Sequence, residues 1–374
     1  MNIDIIGGGI GGLTTAIALD QKGIDYRIFE QTKTMKPVGA GIILANNAMQ
    51  VYNNLGIKYK IEQKGNPISF LKITNLNFKP LSMVDLRYFE AKYGVKNIVI
   101  HRGDLQQILL SEIKAENLYL DHHLKAIKSK NKSFELEFEN GNRLSSDIII
   151  GADGLKSKVR DLIFKNGKIR NSHQICWRGI AEYQLPKKFL NEANEIWGKG
   201  DRFGFVQLDT HRVYWYALKS IDSKTPYTTD TIEVLFKDYP SMIQELLALT
   251  PKTAIHCDII QDLKPIHNWH QGNICLLGDA AHATTPNLGQ GACQAIEDAY
   301  MLSNCLDDYK CITTAFSEYE HKRITKAHQV VKMSWVIGKM AHWENPIAIL
   351  LRNFLMQKIP KSLNRKQSER IFEL

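Results

Sequence analysis

The sequence predicts an α/β chain in which a parallel-sheet nucleotide domain is interrupted by an antiparallel-sheet domain and followed by C-terminal helices. Three observations predict it. Apolar runs end in glycine turns at three places: GGGIGG (7–12), GADG (151–154) and GDAAH (278–282). Continuous apolar runs that stop at glycine read as strands buried on both faces, the pattern of a parallel sheet. Between the second and third turns, residues 170–260 change to short alternating strands such as WRGIAEYQL and RVYWYALKS, the pattern of an antiparallel sheet.

In chain order, IDII (3–6) is a strand, residues 13–21 a helix and YRIFE (26–30) a second strand, a βαβ unit within about 30 residues. HRGDLQQILLSEI (101–113) reads as an amphipathic helix. Residues 117–148 alternate, with ENGN as a hairpin turn. DIIIGADG (147–154) and NICLLGDAAH (273–282) are buried strands entering their turns. One helix is expected near 231–249 and another over GACQAIEDAYMLSNCL. Residues 313–358 read as helical throughout, packing on the first domain in preference to a membrane surface. The implied boundaries are 1–72, 98–168 and 262–312 for a discontinuous nucleotide domain, 73–97 and 169–261 for the antiparallel sheet, and 313–374 for the helices.

Composition excludes several classes. The 374 residues are 44% hydrophobic and 23% charged, enough for a large core, and the formal charge of +9 is spread without the clustered bases and stacking aromatics of a nucleic-acid surface. Six cysteines without a CxxC pair argue against a disulfide framework or zinc site and for a reducing cytoplasm. No apolar run of about 18 residues is present, so no transmembrane helix is expected. The N-terminus lacks the pattern of a signal peptide.

Gly7, Gly9 and Gly12 form GxGxxG directly after the first strand, with Gly11 inside the motif. The glycines allow the tight turn, the approach of backbone to a pyrophosphate and close helix packing, while the helix N-terminus offers free N–H groups. Glu30 ends the second strand, where a carboxylate accepts ribose hydroxyls and disfavours a 2′-phosphate; Gln31 follows it. This Rossmann-like site suits FAD or NAD and does not separate them.

GADGLKSKVR (151–160) and GDAAHATTPNLGQG (278–291), together with GxGxxG, resemble the motifs of the group A FAD-dependent aromatic hydroxylases, over nearly the whole chain. The resemblance implies a p-hydroxybenzoate hydroxylase-like fold. It further implies that Asp279 meets the ribityl chain and that Pro286, Gly289, Gly291 and Ala292 bring backbone to the flavin pyrimidine edge. In the same way Arg102 of HRGDL reaches the FAD, Gly41 in the mobile segment 38–48 lies beside the isoalloxazine, and the Leu124 backbone meets the adenine. Asp153 is expected to hold Arg160 or shape its turn, His282 to be structural and Cys293 to be core.

The resemblance implies a flavin monooxygenase that takes electrons transiently from NADH or NADPH and reacts with O₂ through a C4a-hydroperoxide. The substrate is a small aromatic or heteroaromatic molecule, and the chain is a monomer or homodimer. The aromatic strands GKGDRFGFVQL (198–208) and RVYWYALK (212–219) place Arg202 and Tyr214 where urate hydroxylases carry a substrate-activating pair. Salicylate-type and 3-hydroxybenzoate-type hydroxylases and zeaxanthin epoxidase share that pattern, so Arg202 as a flavin-edge contact and Tyr214 as a core residue stay open. An epoxidase of an apolar polyene and a non-catalytic binding module are the alternatives. A wholly apolar pocket with Arg202 turned to the flavin would favour the epoxidase.

Overall fold

The computed structural model describes residues 2–36, 39–131, 133–221 and 227–374, apart from the Lys361 side chain; Val38, at the start of the segment 38–48, lies outside them. Ile3–Ile6 runs parallel to Ile148–Gly151 on one side and Tyr26–Phe29 on the other. Ile274–Leu276 adds beyond Ile148–Gly151, and Leu118–Tyr119 beyond Tyr26–Phe29, both parallel. Every residue of the Ile3–Ile6, Ile148–Gly151 and Ile274–Leu276 strands is buried. Their apolar runs are therefore explained by burial on both faces. Because the three strands are neighbours and parallel, the three glycine turns line up along one carboxyl edge, where α/β sheets bind ligands.

The second large sheet runs in the order His256–Leu263, Ile169–Glu182, Arg212–Ser220, Asp201–Gln207, Glu192–Trp197, Phe70–Thr74 and Pro80–Asp85. It departs from the expected antiparallel sheet at one place, where Glu192–Trp197 and Phe70–Thr74 pair in parallel. One face packs Trp177, Phe203, Phe205 and Trp215 against the helix Ser241–Ala248 in a separate core. The opposite face is directed at the nucleotide domain: Val206 and Tyr214 belong to the main core there. Ile312–Ala341 runs along Gly291–Asp308, whereas Pro346–Lys358 and Lys361–Phe372 lie against the edge strand Pro80–Asp85. Ile312–Ala341 and, through Phe372, the last helix reach the first domain, while Pro346–Lys358 rests on the edge strand of the second sheet.

Two further expectations are corrected. The helix expected over 231–249 is two, Ile232–Leu235 and Ser241–Ala248, because Pro240 sits extended (ψ 151°) between them. The run 313–358 breaks after Ala341, where Asn345 caps a new helix by accepting from the Ile347 and Ala348 N–H groups, with Pro346 at its first position.

A buried charge network joins the elements behind the third glycine turn. Asp298 accepts from His282 Nε2 at 2.5 Å, the Gly278 N–H at 3.1 Å and Arg323 Nε at 2.7 Å. Arg323 also pairs with Glu297, which takes Lys326 Nζ at 2.7 Å and Asn47 Nδ2 at 3.0 Å. Burial alone would raise the Asp298 carboxyl, but His282 and Arg323 hold it down at about 2. Arg323→Ala leaves two buried carboxylates short of their cation. It is expected to lower unfolding free energy by about 3–5 kcal/mol. Urea unfolding of the apoprotein checks this; a loss below about 1 kcal/mol would show that Lys326 and His282 balance the site without Arg323.

Candidate active site

The first glycine turn is built by contact as much as by conformation. Gly7 has φ +111°, and a Cβ there would collide with the Ala152 carbonyl; one on Gly12 would collide with the Gly7 carbonyl. Gly11 lets the helix Ile10–Gln21 approach Leu277 and Ala295, where a Cβ would come within 2.9 and 3.3 Å. Gly9 is the exception, for a Cβ there would meet nothing within 4 Å. That clear space lies at the N-terminus of Ile10–Gln21, the place for a pyrophosphate.

Glu30 is fixed beside it. Its Oε2 accepts from the Gly8 N–H at 2.7 Å and its Oε1 from the Thr32 N–H at 2.9 Å. It pairs with no cation among the described residues, so lone pairs stay available for a ribose diol. Gln31 is exposed and Leu124, at the start of Leu124–Lys130, is buried.

The second and third turns complete the cradle. Asp153 shapes its own loop by accepting from Ser157 Oγ at 2.5 Å and the Lys158 and Val159 N–H groups at 2.6 and 3.0 Å. It makes no hydrogen bond to Arg160, contrary to one expectation. The Arg160 guanidinium donates instead to the carbonyls of Ala280 (2.9 Å) and Leu155 (2.7 Å), tying the second turn to the third. A side chain reaching the next turn serves better than one closing on its own loop.

Asp279 has no side-chain hydrogen bond among the described residues and opens on the cleft. Surrounding protein pushes its carboxyl up, while His282 and Arg102 pull it down. Arg102 is itself exposed and makes no ion pair among the described residues. Pro286–Leu288 forms a tight turn closed by Gly289 (φ +63°), and the helix Gly291–Asp308 starts there without a side-chain cap. Gly291 and Ala292 are the first two residues of that helix, whose N-terminal N–H groups have no intrahelical acceptor. His282 is structural, engaged with Asp298, and Cys293 is buried against Ala45 and Ile43.

A free carboxylate, a free guanidinium, an uncapped helix end and clear space at Gly9 in one cleft fit an FAD. Its pyrophosphate and ribityl chain need that set of partners.

Cross-strand registers sort the sheet face above the cleft into rows. One row reads Val84, Leu71, Ala193, Val206, Tyr214, Ile180 and is apolar but for one hydroxyl. The next reads Ile73, Glu195, Gly204, Tyr216, Arg178, His256, and the third Trp197, Arg202, Leu218, Cys176, Asp258. Tyr214 and Arg202 share the face but not a neighbourhood, being four residues apart along the strand direction, about 13 Å.

Tyr214 lies over Gly41, where a Cβ would come 2.5 Å from its Cγ. Its hydroxyl has no hydrogen-bond partner among the described residues, and burial pushes it well up. A cavity of about 210 Å³ lined by Gly39, Ala40, Arg178, Ile180 and His256 lies at the end of the apolar row. Arg202 is buried and turned away from that end. It bonds Asn287 Oδ1 of the third turn and Glu195 Oε1 at 3.2 Å.

Glu195 also accepts from Trp197 Nε1 and Tyr216 Oη, each at 2.5 Å, and Asn287 Nδ2 donates to Ser334 O at 2.7 Å. Sequence reading missed Glu195, Tyr216 and Asn287. The only signal was the aromatic crowding of the strands, since Arg202 and Asn287 are 85 positions apart.

Asp279→Ala removes a carboxylate with no hydrogen-bond partner among the described residues and is expected to lower FAD affinity at least about tenfold with the apoprotein melting temperature unchanged. His282→Ala removes a core partner of Asp298 and is expected to lower that melting temperature with FAD retained. Flavin absorbance after gel filtration and thermal unfolding of the apoproteins check the pair. The opposite assignment of effects would remove Asp279 from the site.

The FAD binding domain family matches residues 1–334 of the chain. The aurachin C monooxygenase/isomerase of Stigmatella aurantiaca is 34% identical over 360 residues, covering 96% of this chain and 94% of that protein. The 2-heptyl-3-hydroxy-4(1H)-quinolone synthase of Pseudomonas aeruginosa (strain UCBPP-PA14) is 28% identical over 382 residues, covering 100% and 98%. Among solved structures, Klebsiella pneumoniae HpxO complexed with FAD and uric acid superposes with a TM-score of 0.91 at 22% identity, over 100% of this chain and 96% of that one. The three turns, the cleft they frame and these likenesses agree: the chain belongs to the FAD binding domain family and is an FAD-dependent monooxygenase of aromatic or heteroaromatic compounds.

Proposed function

We propose that the chain hydroxylates a flat nitrogen heteroaromatic bearing an apolar side chain, of the 4-quinolone type. The observation that carries this is the apolar row Val84, Leu71, Ala193, Val206 leading to the single hydroxyl of Tyr214. Leu71, Val84 and Ala193 stay partly exposed on a face that looks inward, so the row offers apolar surface to a substrate side chain. A relative that produces a heptyl-substituted quinolone supports the same class.

Bound FAD, reduced by NADH or NADPH, supplies the activation of O₂, and the protein supplies placement, charge and dryness. Glu30 holds the ribose hydroxyls, the helix end behind Gly9 and Arg102 hold the pyrophosphate, and Asp279 holds the ribityl chain. The N–H groups of Gly291 and Ala292 offset negative charge on the flavin pyrimidine edge. Tyr214 keeps its proton because burial raises it, so it acts as a donor to a ring carbonyl and not as a base. Arg202 positions the third turn through Asn287 and touches no substrate. That placement also favours an epoxidase as second reading, but the Tyr214 hydroxyl, without a hydrogen-bond partner among the described residues, argues for a polar ring atom at the reacting end.

The test follows NADH and NADPH oxidation with 2-heptyl-4-quinolone, urate and salicylate, with product mass measured under ¹⁸O₂. The expected result is oxidation accelerated by the quinolone and one ¹⁸O on its ring. Tyr214→Phe is expected to lower kcat/KM for it about tenfold, the worth of one buried hydrogen bond of about 1–2 kcal/mol. Turnover of urate alone, or an epoxide product, would overturn the reading.

A further inference from the structure

The helix Pro346–Lys358 is folded inside out. Ile347, Leu350, Leu351, Phe354 and Leu355 are between 54% and 77% exposed. Their spacing of 3, 4, 7 and 8 places all five on one arc of the helix, and Lys358 falls on the same arc. On the opposite side Met356 and the charged Arg352 are buried, Arg352 being 2% exposed. Arg352 Nη1 donates to the carbonyls of Met340 (3.2 Å) and Ala341 (3.0 Å) and its guanidinium lies 5.0 Å from the Trp197 ring. The helix is thereby pinned to the end of Ile312–Ala341, with its apolar arc facing out. Water-exposed helices of folded proteins carry the reverse arrangement.

We propose that this arc docks the protein onto an anionic phospholipid bilayer surface, lying in the interface without crossing it. Three features of the surroundings point to lipid. Between Glu344 and Glu369 the sequence contains no acid, and besides the buried Arg352 it carries four bases, Lys358, Lys361, Arg365 and Lys366, which complement anionic headgroups. Trp343, 40% exposed, borders the arc at one end and Ile359 and Lys358 at the other, the residue types favoured at the membrane interface.

The third feature is size. The helix is 13 residues long, about 20 Å by 10 Å at 1.5 Å per residue. That footprint of about 200 Å² is far below the roughly 800 Å² per partner of a standard protein interface, while interfacial helices need only one apolar face immersed about 5–10 Å. Among the described residues no helix is long and apolar enough to cross a membrane. The docking uses no residue of the cofactor cleft or the apolar row, so it stands or falls separately from the substrate reading.

The experiment uses the FAD-loaded full chain and sucrose-filled vesicles, either of phosphatidylcholine alone or of equal parts phosphatidylcholine and phosphatidylglycerol. The chain is expected to sediment with the mixed vesicles and far less with the neutral ones. Leu350→Ser/Phe354→Ser is expected to lower the bound-to-free ratio about tenfold or more. Lys358→Glu is expected to lower it less. Flavin content and NADH oxidation rate in solution are expected to stay unchanged, because all three positions are exposed. A chain that stays in the supernatant with mixed vesicles, or a double variant that binds them equally, would overturn the proposal. So would a wild-type dimer that the double variant converts to monomer in analytical ultracentrifugation, for a second copy would then cover the arc.

Discussion

The cofactor cleft depends on a carboxylate that never faces it. Asp298 takes hydrogen bonds from the Gly278 N–H, His282 and Arg323. Through the first it holds the strand end that delivers Asp279, through the second the four-residue helix that follows, and through the third the long helix Ile312–Ala341. Burying such a charge is costly, and only complete pairing offsets it. The geometry is correspondingly exclusive: Asp279 is left unpaired in the cleft because its neighbour His282 is spent on Asp298. Arg160, bonded to Ala280 O, then locks the second turn to the third.

The antiparallel sheet solves a different problem, a surface that must be apolar at one end and charged at the other. Strand pairing does this by rows. Glycines at 41 and 204 leave room for the rings of Tyr214 and Tyr216 to lie flat across backbone. Within the charged rows Glu195 gathers Tyr216, Trp197 and Arg202. What remains open toward the nucleotide domain is apolar surface, one phenol, the flavin turn and, at the cavity, Arg178 and His256.

Local features were legible in the sequence, and distant partnerships were not. The three glycine turns, Glu30 and the strands Ile3–Ile6 and Ile148–Gly151 follow from apolar runs and glycine spacing, because burial on both faces leaves a continuous apolar signature. The breaks at Pro240 and Pro346 had their own signals, which a helical period read over long windows overrode. The helix Lys361–Phe372 carries few apolar residues, too sparse to show a period. The Arg202–Asn287 bond spans 85 positions and two layers, and residue types alone do not encode which face of a strand meets which loop. The inverted helix was read as an ordinary packed one, since periodicity gives an arc but not the direction it faces.

The wide separation of the glycine turns has a consequence for biosynthesis. Gly7 and Asp279 lie 272 positions apart, yet they frame one cofactor. At about 5–20 residues per second, a ribosome needs tens of seconds to make the intervening chain. During that time Ile3–Ile6 lacks Ile148–Gly151 and then Ile274–Leu276, and a nascent chain presents half a cradle. The Asp298–Arg323 lock requires still more of the C-terminal helix to emerge from the exit tunnel. The complete set of partners that frames the flavin, and the Arg323 that locks the third turn behind it, are therefore together only late in synthesis.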